Sequence, residues 1–388
     1  MKTTTSLILL TFFFLQSYLI RFSIGLYPTN LLEILIGISA LAFLITIIAK
    51  KRFTKTLKTI PKHWIITTLI LLTAISLLTT EIFNYLDFIR HSKFLFFGLI
   101  FGFIFLETFK TSEQRTKAFR IAGYGAISFG IFSLIYNLFG HNVAYDLRLL
   151  GPLDAAVYLA YYLAPFLIFF TIEAIDNRKK YDIAAAIILG LLLIATRSMG
   201  AIGASFVIIL FYLLRQSNIA ISKHKFTKIA LALATIILVV TIFFTKILPT
   251  IQTEYSSLDE RGQIWQTTTH LLANPERFIW GLGFGQFQYH YENNVAEILG
   301  HEPLDYIVLQ PHNIFLLFMS QYGLLGLLVI LTIFHRTLWN NKTVFSYMLI
   351  YFLLHGLIDT PIFKNDLIIL FIILLEISLE RPSLKTRS

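Results

Sequence analysis

Apolar runs, each about as long as a membrane crossing and broken by short polar stretches, dominate the chain. A hydrocarbon core about 30 Å thick is crossed by roughly 20 apolar helical residues. On that measure about twelve helices are expected, near residues 5–25, 31–49, 63–80, 93–109, 117–139, 154–174, 182–198, 200–215, 227–247, 312–335, 343–360 and 366–380. The first begins Met1-Lys2, stays apolar past Tyr18 and lacks a small-x-small cleavage pattern, so it reads as a retained span. Residues 248–311 break the rhythm: polar and aromatic positions mix there with helical periodicity. The expected architecture is an all-α polytopic membrane protein. Residues 1–247 would carry nine spans, 248–311 one long extracytoplasmic loop with short amphipathic helices, and 312–388 three further spans and a cytoplasmic tail.

Composition narrows the function classes. Of 388 residues 56% are hydrophobic and 14% charged, against about 25% charged in ordinary soluble domains. A soluble fold cannot hide that much apolar surface, which excludes a cytosolic enzyme, a nucleic-acid-binding module and a disordered chain. The net charge of +10 is then a matter of topology. Lys50, Lys51, Arg52, Lys55, Lys58 and Lys62 fall in one loop, Lys110, Arg115, Lys117 and Arg120 in the next but one, and Arg178, Lys179 and Lys180 in the next but one again. By the positive-inside rule these loops and both termini are expected in the cytoplasm. The absence of cysteine rules out disulfides, thiolate metal sites and a cysteine nucleophile.

Ionisable groups at membrane depth are costly and hence functional candidates. Arg197 stands at the junction of two spans, with Gly200, Ala201 and Ala204 following at helical spacing; the alternative is an arginine snorkelling to the interface. Between Ser257 and Leu272 the chain reads as a helix on which Leu258, Arg261, Trp265, Thr268 and Leu272 share a face. Arg261 then points where Trp265 packs, unless it simply holds a lipid phosphate. Asn274-Pro-Glu-Arg277 reads as a helix-ending turn. Gly281-Leu-Gly283-Phe-Gly285 lacks the βαβ frame of a dinucleotide loop and reads as tight backbone packing. His312, in Gln310-Pro-His-Asn313, opens a span, where the helix end favours a neutral ring able to take a proton; a helix-capping histidine is the alternative. His270, His290 and His301 form no metal-ligand spacing with it. Arg148 can add positive charge, and Asp359 can orient a base or sit in the interface. No spaced Asp/Glu pair marks a divalent-metal site.

The order of these segments carries more than any one of them. Arg197-Ser-Met-Gly-Ala, Asp259-Glu-Arg261-Gly-Gln-Ile-Trp265, Asn274-Pro, Gly281-Leu-Gly-Phe-Gly-Gln-Phe287, Pro311-His-Asn313-Ile-Phe-Leu and Gln321-Tyr-Gly-Leu-Leu-Gly326 together resemble the O-antigen ligase family, and Arg148-Leu-Leu-Gly-Pro resembles its segment before the sixth helix. The resemblance implies a metal-independent, inverting glycosyltransferase without a cofactor. Such an enzyme moves a glycan from undecaprenyl pyrophosphate to the hydroxyl of a lipid-anchored or glycan acceptor, on the outer face of the inner membrane, in lipopolysaccharide or other surface polysaccharide assembly. It also implies that Arg197 and Arg261 hold the pyrophosphate and that His312 activates the acceptor, with Arg148, Asp359 and Asn313 in support. Membrane lipids are expected partners and nucleic acid is not. A polymerase of the same superfamily is the alternative. A lipid-linked glycan transporter would instead place its ionisable groups near the bilayer midplane.

Overall fold

The computed structural model describes residues 2–25, 27–142, 144, 147–216, 257–340, 343–360 and 362–380. The expected ninth span, 227–247, lies outside them. The described helices are α1 (Lys2–Phe13), α2 (Leu31–Ala49), α3 (Phe53–Leu57), α4 (Trp64–Thr79), α5 (Tyr85–Thr108), α6 (Ser112–Leu138), α7 (Ala156–Asn177), α8 (Lys180–Ala195) and α9 (Met199–Gln216). After the undescribed stretch come α10 (Ser257–Leu272), α11 (Pro275–Trp280), α12 (Phe287–Leu299), α13 (Ile314–Asn340), α14 (Val344–His355) and α15 (Asn365–Leu379). Among the described residues six helices are long and apolar enough to cross a membrane, namely α2, α5, α6, α7, α9 and α13. Residues 53–79, bent by 75° between Lys62 and Trp64, make a seventh if taken as one span. The chain is a multi-pass membrane protein.

Other expected spans coincide with shorter helices. α1 and α14 have 12 residues each, α8 16 and α15 15; at 1.5 Å per residue they reach only about 18–24 Å. The first span in particular does not run to residue 25. α1 stops at Phe13, a 3₁₀ turn covers Leu15–Leu19, and strands β1 (Arg21–Ile24) and β2 (Tyr27–Asn30) pair antiparallel, Arg21 opposite Asn30. Just past the break, Gln16 Nε2 donates to Asp366 Oδ2 at 2.6 Å across the bundle. α14 and α15 are apolar nearly all round and sit in the middle of the protein, whereas α2 and α9 keep much of their apolar surface uncovered.

A second, smaller core forms within the long loop. Ile264, Leu271, Leu272, Leu282, Phe287, Tyr291, Val295 and Val308 bury one another there. Asn274 starts a helix rather than merely ending one: its side chain accepts from the backbone N–H groups of Glu276 and Arg277, capping α11. The segment 281–286 then fastens this loop unit to the bundle. Leu282 N–H donates to Ser320 O at 2.7 Å, Phe284 N–H to Ser76 Oγ at 3.0 Å, and Ser76 Oγ in turn to Gln321 O at 2.9 Å. Gln286 Oε1 accepts from the N–H groups of Phe83 and Asn84.

The bend in α13 follows from length. Residues 314–340 would make a straight rod of about 40 Å. Yet one end is followed after three residues by α14, and the other is tied to the far end of α14 by the 2.6 Å bond from Ile314 N–H to Gly356 O. A 12-residue helix and a 27-residue helix can meet at both ends only if the longer one breaks. It does so at Gly323, whose φ of 61° and ψ of −150° are non-helical. A Cβ there would lie 2.1 Å from Ile279 O. Gly323→Ala is therefore expected to destabilise the fold by roughly 2–5 kcal/mol, seen as a lower melting temperature in detergent. Gly203→Ala, on α9 with nothing within 4 Å of the added carbon, should hold or slightly raise it.

Candidate active site

The break in α13 brings its N-terminal end against the turn that follows α14. Pro311 precedes His312, and Asn313 caps α13: its Oδ1 accepts from Phe315 N–H at 3.0 Å and Leu316 N–H at 3.1 Å. The same amide donates through Nδ2 to Leu357 O at 3.0 Å, so Asn313 is a positioning residue that clamps two chain segments. His312 lies just outside the helix, held in the left-handed region at φ 49°, a conformation costly for a residue with a Cβ.

Across from it stands Asp359, 2% exposed. With its proton on Nδ1, His312 donates to Asp359 Oδ1 at 2.9 Å. Thr360 N–H donates to the same oxygen at 2.9 Å. Arg261 Nη2 reaches the other oxygen, Oδ2, at 3.3 Å. The side chains of Arg261 and His312 are 21% and 28% exposed, that of Asp359 only 3%; the carboxylate is the buried base of the site and the two basic groups form its open face. Burial would raise the Asp359 carboxyl, but the hydrogen bond and charge of His312 and the charge of Arg261 outweigh it and hold it at about 2. Nε2 of His312 is left facing away from the carboxylate.

Arg261 is fixed from two sides. Nη1 donates to Ser257 O at 2.9 Å, closing the first turn of α10, while Nη2 goes to Asp359. Its Nε–H is buried and has no hydrogen-bond partner. Trp265 lies one turn along α10 and donates from Nε1 to Pro311 O at 3.0 Å. That bond joins the helix carrying Arg261 to the segment carrying His312.

Arg197 and Arg148 share a neighbouring corner. Leu149 N–H donates to Ala195 O at 2.9 Å, which sets the two exposed arginines on adjacent strands of chain. Arg197 is also left-handed, at φ 50°. Three residues on, Gly200 lets α9 come against the site: a Cβ there would meet Ile358 Cδ1 at 2.5 Å and His355 Nε2 at 3.1 Å. His355 stacks on Tyr161 with ring centroids 4.2 Å apart, and the Tyr161 hydroxyl donates to Asp359 O at 3.0 Å. Tyr161 and Thr360 are supports that the sequence did not announce. A buried hydroxyl in an apolar run has no distinguishing pattern until its partner is known. His290 is elsewhere, against Phe83; burial and the Arg277 charge push it down to about 4. Among the described residues no group of three or more His, Asp and Glu is placed to hold a metal ion.

These features define a polytopic helical membrane protein with an imidazole–carboxylate–guanidinium cluster where a long loop meets the bundle. Residues 184–331, which include Arg197, Arg261 and His312, match the family model described as O-antigen ligase. Asp359 lies beyond the matched segment. No curated protein matches the chain.

The carboxylate gives a pH test. Its folded value is depressed, so its contribution to stability is fully present above the ordinary carboxylate range and is lost as pH falls towards about 2. Asp359→Asn should melt below the wild type by an amount equivalent to about 2 kcal/mol. That gap should close progressively below pH 4, as followed by melting in detergent.

Proposed function

We propose that this protein is a glycosyltransferase that moves a glycan from undecaprenyl pyrophosphate to an acceptor hydroxyl on the outer face of the inner membrane, in the manner of an O-antigen ligase. The observation that carries the reading is the buried carboxylate of Asp359, bound at once by His312 and Arg261. In the reaction the acceptor oxygen bonds to the anomeric carbon while the bond from that carbon to the pyrophosphate oxygen breaks, inverting the centre. The bonding pair leaves with the pyrophosphate, and the hydroxyl proton passes to His312 Nε2. Asp359 fixes the tautomer that leaves Nε2 free and stabilises the imidazolium that forms. Negative charge grows on the leaving oxygens, and guanidinium groups in a poorly solvated site meet it with directed donors. The guanidinium of Arg261 is one such group, and Arg197, with Arg148 at the same corner, supplies further charge. No step is assigned to a metal or a cofactor.

The sidedness rests on where the basic residues lie. The loops at the opposite end of the bundle hold Lys50, Lys51, Arg52, Lys58, Lys110, Arg178 and Lys179, which supports a cytoplasmic location for that end and for the termini. The loop unit and the cluster then face outward, where a lipid-linked donor can enter sideways between helices.

Purified protein in liposomes containing a lipid-pyrophosphate-linked glycan and an acceptor is expected to release free carrier pyrophosphate and a joined glycan. His312→Ala should cut turnover by about 10²–10⁴; near-normal turnover would remove it as the base. Arg261→Lys should lose nearly as much as Arg261→Ala, because an ammonium cannot hold Ser257, Asp359 and a phosphate oxygen at once. Turnover should persist in EDTA, and loss restored by Mg²⁺ or Mn²⁺ would overturn the metal-free mechanism. A single added glycan block marks a ligase product, whereas a ladder of repeats marks a polymerase.

A further inference from the structure

The short helix α11 leaves an apolar surface open among the described residues, and the transfer chemistry does not use it. Phe278, Ile279 and Trp280 are consecutive and are 41%, 46% and 37% exposed. Polarity is divided along the axis of this helix rather than around it: the capping Asn274, Glu276 and Arg277 come first, and the three apolar side chains last. The apolar end has a fixed height. Leu282 N–H donates to Ser320 O, and a Cβ on Gly323 would lie 2.6 Å from the Trp280 carbonyl carbon. Trp280 is therefore level with the bend in α13.

Two neighbouring helices measure that height against a bilayer. Arg336 of α13 lies over the Trp64 ring of α4, 5.3 Å from its centroid, and Ser76 Oγ of α4 donates to Gln321 O of α13. The two helices thus run side by side between these levels. α4 has 16 residues, a rise of about 24 Å, less than a hydrocarbon core about 30 Å thick. An arginine and an indole are side chains that settle at a membrane interface. With Arg336 and Trp64 at one interface, the bend falls inside the opposite leaflet. Exposed leucines agree: Leu78, near the end of α4, and Leu325 and Leu328, just past the bend of α13, present apolar side chains outward at that height. We propose that α11 is a membrane anchor of the loop unit, with Phe278, Ile279 and Trp280 inserted among the acyl chains of that leaflet and Glu276 and Arg277 at its headgroups. The indole suits this depth, because its ring is apolar while its N–H reaches the headgroup level. The anchor is argued from helix lengths and exposure alone and is independent of the transferase reading.

The chain has no cysteine, so one introduced thiol reports one position. Full-length protein carrying Glu276→Cys, Phe278→Cys or Trp280→Cys is labelled with a nitroxide and placed in liposomes of phosphatidylethanolamine and phosphatidylglycerol. Leu328→Cys serves as the lipid-facing reference. Collisions with oxygen, which concentrates in the bilayer, and with a water-soluble nickel chelate are measured by electron paramagnetic resonance. Expected is an excess of oxygen over nickel collisions at 278 and 280, as at 328, with the ratio reversed at 276. An excess of nickel collisions at 278 and 280 would show a face open to water or to a soluble partner and overturn the anchor. Exclusion of both agents there would show a face covered by protein, such as a second copy of the chain, and overturn it equally. If the cysteine variants do not assemble, tryptophan fluorescence decides. The difference between wild type and the conservative Trp280→Phe isolates the emission of Trp280. Quenching of that difference by lipids brominated on their acyl chains, and not by iodide, sustains the anchor; quenching by iodide alone, or by neither, overturns it.

Discussion

One negative charge, buried where the loop unit meets the bundle, organises the candidate site. Asp359 would not ionise so readily in an apolar surrounding without compensation, since burying a lone carboxylate costs several kcal/mol. Its compensation comes from three directions: an imidazole at the head of α13, a guanidinium on α10 and the backbone of its own turn. Each partner belongs to a different stretch of chain. The carboxylate is thus both an electrostatic anchor and the point at which three elements must agree in position. The Trp265–Pro311 bond and the two-sided amide of Asn313 hold those same elements without depending on charge.

The glycine-rich segment shows how a motif can be read correctly in kind and incompletely in consequence. Its glycines take positive φ, Gly281 at 87°, Gly283 at 105° and Gly285 at 73°, and no side chain would fit where it threads past Thr80, Asp87 and the bend of α13. Tight backbone packing was the reading from sequence. What spacing could not say is that the surface packed against is the α4–α5 junction, about 200 residues earlier in the chain.

The same division holds elsewhere. Apolar run length placed most described helices within a few residues, α2 and α10 among the best, because periodicity and caps are local signals. It erred at α1, which ends before Gln16 meets a distant carboxylate on α15, and at α14, which ends at His355 and leaves Asp359 in a turn. Arg197, Arg261 and His312 stood out as charges or imidazoles among apolar neighbours. Asp359 ranked lower because its importance is relational: nothing around it in sequence reveals that residues 261 and 312 arrive there.

The angle in α13 also carries a mechanical consequence. Residues 314–322 form a rigid arm of about 13 Å with the pivot at Gly323 and the imidazole just past its tip. Each degree of rotation at the pivot displaces the tip by about 0.2 Å, so a swing of only a few degrees exhausts the tolerance of a hydrogen bond. The pivot is wedged against Ile279 and Trp280 of α11, on the exposed side of the loop unit. Pressure on that short helix is geared directly to the reach of the histidine.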